Sequence, residues 1–245
     1  PLSMVFAPDG DLLMTLAPSY WEPRSGIAYC RPKIFRVDTD TGDRSVISGS
    51  SVGAGPRFEC PRSLAMGADG YLYVLNSSAT GYTPPAVLRV DLANGNRAIV
   101  SDPTHGSGPL WGGFISMAGD ARGSLYGADV SGAITRLLRV DAGTGARSIL
   151  SGDGVGTGEA LGFAYSIAMA ADGSILVNNE VRTVLRVDPV TGDRTVLFRE
   201  SGSGLAVVPA LAPEPGTAAL ALVTFATLAA RTRSAQSRRG ERRQH

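Results

Sequence analysis

The sequence predicts an all-β protein built from one repeated module, and three observations predict it. A phrase recurs four times: "KIFRVDTDTGDRSVISG" from Lys33, "AVLRVDLANGNRAIVS" from Ala86, "LLRVDAGTGARSILSG" from Leu137 and "TVLRVDPVTGDRTVLF" from Thr183. A second landmark precedes each phrase, reading "FAPDGDLLM", "MGADGYLYV", "AGDARGSLYG" and "MAADGSILV". No part of the body carries a sustained helical period of apolar residues.

Each unit runs apolar strand, Asp-Gly turn, apolar strand, variable loop, "LRVD" strand, Thr-Gly turn, "RxVLS" strand and a long Gly-rich loop. Asp-Gly between β-rich runs is a two-residue hairpin signal, because Gly accepts positive φ at little cost. In "RVDxxTGxR" the Asp is expected to accept turn amides, with Gly42, Gly95, Gly145 and Gly192 in left-handed positions. The small residues of "SLAMG" and "SIAMA" suit a strand crowded near a central axis. The Arg of "RVD" falls at Arg36, Arg89, Arg139 and Arg186, spacings of 53, 50 and 47. Four short strands per roughly 50 residues match one blade of a β-propeller. The expected blades span 2–48, 62–101, 113–151 and 163–199, with one more strand at 204–209. The Asp–Arg couples, such as Asp188 with Arg194, read as hairpin hardware rather than ion sites, since a feature present in every unit serves what the units share.

These repeats resemble those of NHL and SMP-30-like six-bladed propellers, over about Leu2 to Pro209. Four units are fewer than six, and the chain opens on "PLSMVFAPDG" without an N-terminal Met. The expectation is therefore a fragment whose upstream part supplies the remaining blades; the alternative is four blades closing in an unusually small ring.

The texture changes at 210–245. Pro213-Glu214-Pro215 is followed by an apolar run from Thr217 to Ala230 and an Arg cluster that includes Arg231, Arg233, Arg238 and Arg239. From Pro213 onward six Arg face two Glu, a local charge of +4 that leaves the body at −3. Basic character confined to the tail gives no case for nucleic-acid binding. The ordered triplet resembles the PEP-CTERM sorting signal of Gram-negative bacteria. That resemblance implies an exported protein, transient inner-membrane insertion by a short hydrophobic helix, processing by an exosortase-type enzyme, and a surface or exopolysaccharide-associated role in a biofilm. The Arg cluster fits retention on the cytoplasmic side. The apolar run is shorter than the roughly 20 residues of a comfortable span. Export would place Cys30 and Cys60 in an oxidising compartment, where a disulfide or two partly buried thiols are both open.

The chemistry-bearing candidates lie on the loops that vary between units: Glu59, Arg62, Asn76, His105, Trp111, Asp129, Glu159, Tyr165, Asn178, Asn179 and Glu180, with Tyr82 beside them. Catalytic motifs dissolve. Gly49-Ser50-Ser51-Val52-Gly53 matches a nucleophile elbow, but no helix follows. His105 and His245 are the two histidines, too few for a zinc site. "DTDTGD" at 38–43 lacks the downstream Glu of a calcium loop. No catalytic residue and no cofactor is assigned. The expectation is a non-enzymatic propeller that binds polysaccharide or a surface protein through its loop face. Trp111, Tyr82 and Tyr165 would stack on sugar rings while Asn and Asp side chains bond hydroxyls. The SMP-30-like resemblance implies an alternative, a metal-dependent lactonase with a Ca²⁺-type ion at the central opening. Asn76, Asp129, Asn178 and Glu180 stand near that position, without a residue-by-residue match to the family's motif.

Overall fold

The computed structural model describes residues 3–16, 19–22, 27–30, 32–77, 85–131 and 134–199. In chain order the strands are β1 (Met4–Phe6), β2 (Leu12–Leu16), β3 (Ser19–Glu22), β4 (Ile27–Cys30), β5 (Lys33–Val37), β6 (Arg44–Ser48), β7 (Cys60–Met66), β8 (Leu72–Ser77), β9 (Ala86–Val90), β10 (Arg97–Ser101), β11 (Phe114–Gly119), β12 (Ser124–Ser131), β13 (Ile134–Asp141), β14 (Arg147–Ser151), β15 (Ala164–Met169), β16 (Ile175–Asn179), β17 (Thr183–Val187) and β18 (Arg194–Arg199). They form four antiparallel sheets, β1-β2-β5-β6, β7 to β10, β11 to β14 and β15 to β18, plus the hairpin β3-β4. No helix occurs among the described residues. These sheets are the blades of a β-propeller. The expected strand at 204–209 and the helix of the tail lie outside the described residues.

Strand character follows burial on both faces. Leu72, Tyr73, Val74 and Leu75 of β8 are all solvent-excluded, because blade 2 is covered by a neighbour on either side. Such a strand reads as a continuous apolar run instead of an alternation. Leu13 and Ile34 of blade 1 pack against Leu72, Val74 and Leu88 of blade 2. Tyr73, Leu75 and Val87 of blade 2 pack against Leu125, Leu138 and Val140 of blade 3. Tyr126, Ala128 and Leu137 then meet Ile175, Val177 and Leu185 of blade 4.

The turns differ from expectation in one respect. The Asp-Gly pair is not a two-residue loop. Gly10 N donates to Ala7 O at 3.0 Å and Ala7 N to Asp11 O at 2.8 Å, so the loop is longer. Gly10 has a φ of 93°, while Asp9 is not left-handed. This is a type I turn closed by one left-handed Gly. The Thr-Gly turns behave as expected. Asp38 Oδ1 accepts from the amides of Asp40 and Thr41, and Asp188 Oδ1 from those of Val190 and Thr191. The Thr41 amide, then that of Asp40, holds the exposed Asp38 carboxyl below its ordinary range.

The recurring Arg at the start of each outer strand corrects the Asp–Arg couple. Among the described residues Arg194 makes no ion pair with Asp188. Its Nε donates to Glu159 O at 2.6 Å and its Nη1 to Ser151 Oγ at 2.7 Å and Val155 O at 3.1 Å. All three acceptors belong to the end of blade 3 and the loop leaving it. Arg147 repeats this on Ser101 Oγ, Asp102 O, His105 O and Pro109 O, at 2.7 to 2.9 Å. Arg97 repeats it on Ser48 Oγ, Val52 O and Pro56 O. Each serine hydroxyl in turn donates to a turn carbonyl of the next blade, Gly95, Gly145 or Gly192, at 2.6 to 2.8 Å.

In each junction a glycine lets the loop lie flat on that turn. A Cβ on Gly108 would overlap the Arg147 carbonyl oxygen, and Gly55 and Gly158 stand the same way against Arg97 and Arg194. Gly10 has a similar φ of 93°, against 98° for Gly108, yet nothing described lies within 4 Å of its Cβ position. The two therefore separate backbone strain from close approach. Gly10→Ala is expected to cost about 1–2 kcal/mol from the left-handed φ alone. Gly108→Ala adds overpacking and is expected to cost about 3–5 kcal/mol in urea unfolding. Equal losses for the two variants would show that the junction does not depend on contact.

Candidate functional site

The innermost strands β1, β7, β11 and β15 line a common channel of about 350 Å³. A serine ladder joins them. Leu64 N donates to Ser3 Oγ at 3.0 Å, Met117 N to Ser63 Oγ at 2.9 Å and Ile167 N to Ser116 Oγ at 3.2 Å. Small residues at the axis follow from this spacing, since a Cβ on Gly119 would press on Met66 O.

At the end of the channel where the inner strands begin, blade 4 presents two aromatic rings. Phe163 and Tyr165 are 37% and 56% exposed, with ring centroids 5.5 Å apart and planes at 55°. The local fold holds them in place. Glu180 N donates to Phe163 O at 2.9 Å, and Phe163 N donates back to Glu180 Oε1 at 3.3 Å. Arg182 completes the turn at a φ of 58°, a left-handed conformation uncommon for a side-chain-bearing residue. Val181 beside it is exposed. Arg62 and Ser166 also line the channel. Asn178 is half-buried, in register with Ser166 across the β15–β16 pair.

Other expected binding residues serve the fold. Trp111 is a correction: it is 7% exposed, packs on Phe114 at 4.8 Å and donates from Nε1 to Pro85 O. The Arg147 guanidinium covers its ring at 5.1 Å, so no face is left for a sugar. Asn76, Asp129 and Asn179 occupy one equivalent position at the end of a second strand. Each fastens nearby backbone. Asn76 Oδ1 accepts from Glu59 N and its Nδ2 donates to Arg57 O. Asp129 Oδ1 accepts from Gly112 N and Gly113 N, and its Oδ2 from Arg136 Nε. Asn179 Nδ2 donates to Leu161 O and its Oδ1 accepts from Thr183 N. Such hydrogen bonds compete with any metal or sugar hydroxyl for the same atoms.

His105 is half-exposed, with Nδ1 at 2.9 Å from Asp102 Oδ1, in the loop that Arg147 grips. Glu159 reaches Arg199 at 3.0 Å. Among the described residues no three His, Cys, Asp or Glu side chains converge on one point. Cys60 is buried and, among the described residues, carries no disulfide. Tyr82, the Cys30 side chain and the sorting-signal residues Pro213, Glu214, Pro215, Arg231, Arg233, Arg238 and Arg239 lie outside the described residues.

Three features escaped the sequence reading. Phe163 forms the aromatic pair with Tyr165, and "GFAY" carries that signal two residues apart. The hairpin β3-β4 sits inside the variable loop of blade 1, with Tyr20 opposite Tyr29 and Trp21 opposite Ala28. The third is the blade-joining Arg. Its trace was the recurrence of Gly-x-Gly five residues after Ser48, Ser101 and Ser151.

No family model matches the chain, and no curated protein matches it. Solved structures do. A chain of the nidogen/laminin complex superposes with a TM-score of 0.56 at 16% identity, covering 80% of this chain and 63% of that one. A puromycin hydrolase superposes with a TM-score of 0.49 at 23% identity, covering 79% of this chain and 28% of that one. A gluconolactonase from Xanthomonas campestris gives 0.46 at 17% identity, covering 72% and 52%. The chain thus spans under two thirds of each. The likeness to the first is one of fold, and the chain is a β-propeller of four-stranded blades.

Proposed function

We propose that the protein is an exported, non-enzymatic propeller that binds a polysaccharide at the channel mouth of blade 4. The observation that carries this reading is the exposed Phe163–Tyr165 pair on a braced turn. Aromatic rings left in water represent unused apolar area, and a ring pair beside polar groups suits the apolar face and hydroxyl edge of a sugar. Asn178 and Glu180 stand beside it as hydrogen-bonding neighbours. A rigid scaffold reduces the ordering cost of binding.

Retention on immobilised polysaccharides, measured by affinity electrophoresis against a panel of bacterial exopolysaccharides, tests this. Phe163→Ala/Tyr165→Ala is expected to weaken retention about 10-fold, with thermal stability little changed. Trp111→Ala, a change inside the core, is expected to lower Tm by contrast. Retention that is unaffected in the aromatic double variant contradicts the reading.

We also propose that 210–245 is a sorting signal processed by an exosortase-type enzyme. The order of Pro213-Glu214-Pro215, apolar run and Arg cluster supports it. A reporter carrying this tail is expected to be shortened in an exosortase-bearing host, and the Glu214→Ala version to persist uncut. Processing at the same rate in both would remove this assignment.

A further inference from the structure

We propose that the channel mouth selects acidic polysaccharides, the Arg62 guanidinium pairing with a carboxylate on the same sugar chain that stacks on Phe163 and Tyr165. This inference rests on the polysaccharide reading above and narrows it to one chemical class.

One irregularity recurs in three inner strands. In β7, Pro61 pairs with Asn76 and Ser63 with Leu75, so Arg62 between them faces no residue of β8. Ile115 of β11 falls in the same gap between Phe114 and Ser116, and Tyr165 of β15 between Ala164 and Ser166. A bulge of this kind bends the strand and re-aims the extra side chain. All three extra residues line the channel. The serine ladder sets them at one level. Each precedes a serine, and Ser63 Oγ and Ser116 Oγ accept from the inner strand of the next blade. The bulge is shared while its side chain differs, from arginine to isoleucine to tyrosine. The blades thus need the position and leave the residue on it to recognition.

Arg62 is exposed and is, among the described residues, the one charged side chain lining the channel. Arg36, Arg136, Arg186 and Arg199 each have a carboxylate partner. Arg97, Arg147 and Arg194 are filled by carbonyls. Among the described residues Arg62 has neither. A guanidinium fork satisfied by water alone suits a planar carboxylate, which it can hold with two parallel hydrogen bonds. The acid beside the rings, Glu180, stands on blade 4 and already accepts from Phe163 N. Arg182, exposed on the same turn, offsets its charge. A sugar chain lying on the rings therefore meets hydroxyl acceptors at blade 4 and a cation at blade 2. The channel of about 350 Å³ is within the size range of small-ligand sites. The negative net charge of the body does not oppose an anion here, because exposed charges beyond about 8 Å are largely screened at physiological salt.

Retention of the full chain on immobilised polygalacturonate, alginate and hyaluronate, each beside its carboxyl-reduced neutral form, tests this. At physiological salt at least one acidic polymer is expected to hold the protein about 5-fold more tightly than its neutral form. Arg62→Gln is expected to remove that preference. Arg122→Gln makes the same charge change in the exposed turn after β11, at the other end of the channel, and is expected to keep it. Equal retention on acidic and neutral forms, or a preference that survives Arg62→Gln, overturns the inference and leaves the polysaccharide reading standing. Retention on neither form of any polymer overturns both.

Discussion

The propeller depends on a guanidinium that reaches backward across a blade boundary. Each long loop between blades is Gly-rich and belongs to none of the four-stranded sheets, so carbonyls such as those of Pro56, Pro109 and Glu159 take their partners from the next blade. Arg97, Arg147 and Arg194 supply them, each donating to several carbonyls and to one serine hydroxyl. A planar fork of N–H donors suits this task in a way a single ammonium does not. Burial lowers the pKa of Arg97 and of Arg147, which is the cost of taking the charge out of water. The hydrogen bonds offset that cost, and the ring of Phe58 or Trp111 covers the guanidinium of Arg97 or Arg147. Glycine is required in the loop because only a chain without Cβ can lie against the turn it crosses.

This arrangement decides where recognition can occur. Loops leaving the outer strands vary in sequence, which makes them resemble binding loops, yet their backbones are tied down at the perimeter. Variation there is tolerated because the grip is on main-chain carbonyls, to which side-chain identity is irrelevant. The asparagines and aspartate at the ends of second strands are drawn into the same work of holding backbone. The exposed groups that remain beside the channel belong chiefly to the inner-strand entrance and the turn at 179–182 of blade 4. There the Phe163–Tyr165 pair stands out, because nothing in the packing of the blades requires two rings to face water.

Much of the fold was legible because repetition averages out local ambiguity. Four copies of one phrase fix strand number and turn positions better than any single copy, and Asp38, Asp91, Asp141 and Asp188 all hold their turns as the residue type suggested. The site was less legible, for a physical reason. A tryptophan in a Gly-Pro-rich stretch has the same appearance whether it lies on a surface or under an arginine, and only the neighbouring blade settles which. Trp111 shares its place, three residues beyond the Gly-x-Gly, with Phe58 and Leu161, and that apolar equivalence was the available sign of a core position. The partner of Arg194 was hidden because it lies about 40 residues upstream, in the preceding unit, while Asp188 stands nearby in sequence.

The most direct measurement is a double-mutant cycle on Ser101 and Arg147, whose side chains meet at 2.7 Å across the junction of blades 2 and 3. Unfolding free energies of Ser101→Ala, Arg147→Ala and the double variant give the coupling between them. If the backward-reaching arginine is the joint between blades, the two losses are non-additive by about 1–2 kcal/mol, and the double variant is little worse than Arg147→Ala alone. Additive losses, agreeing within about 0.3 kcal/mol, would mean that each residue acts inside its own blade and that the blades are held together by apolar packing alone.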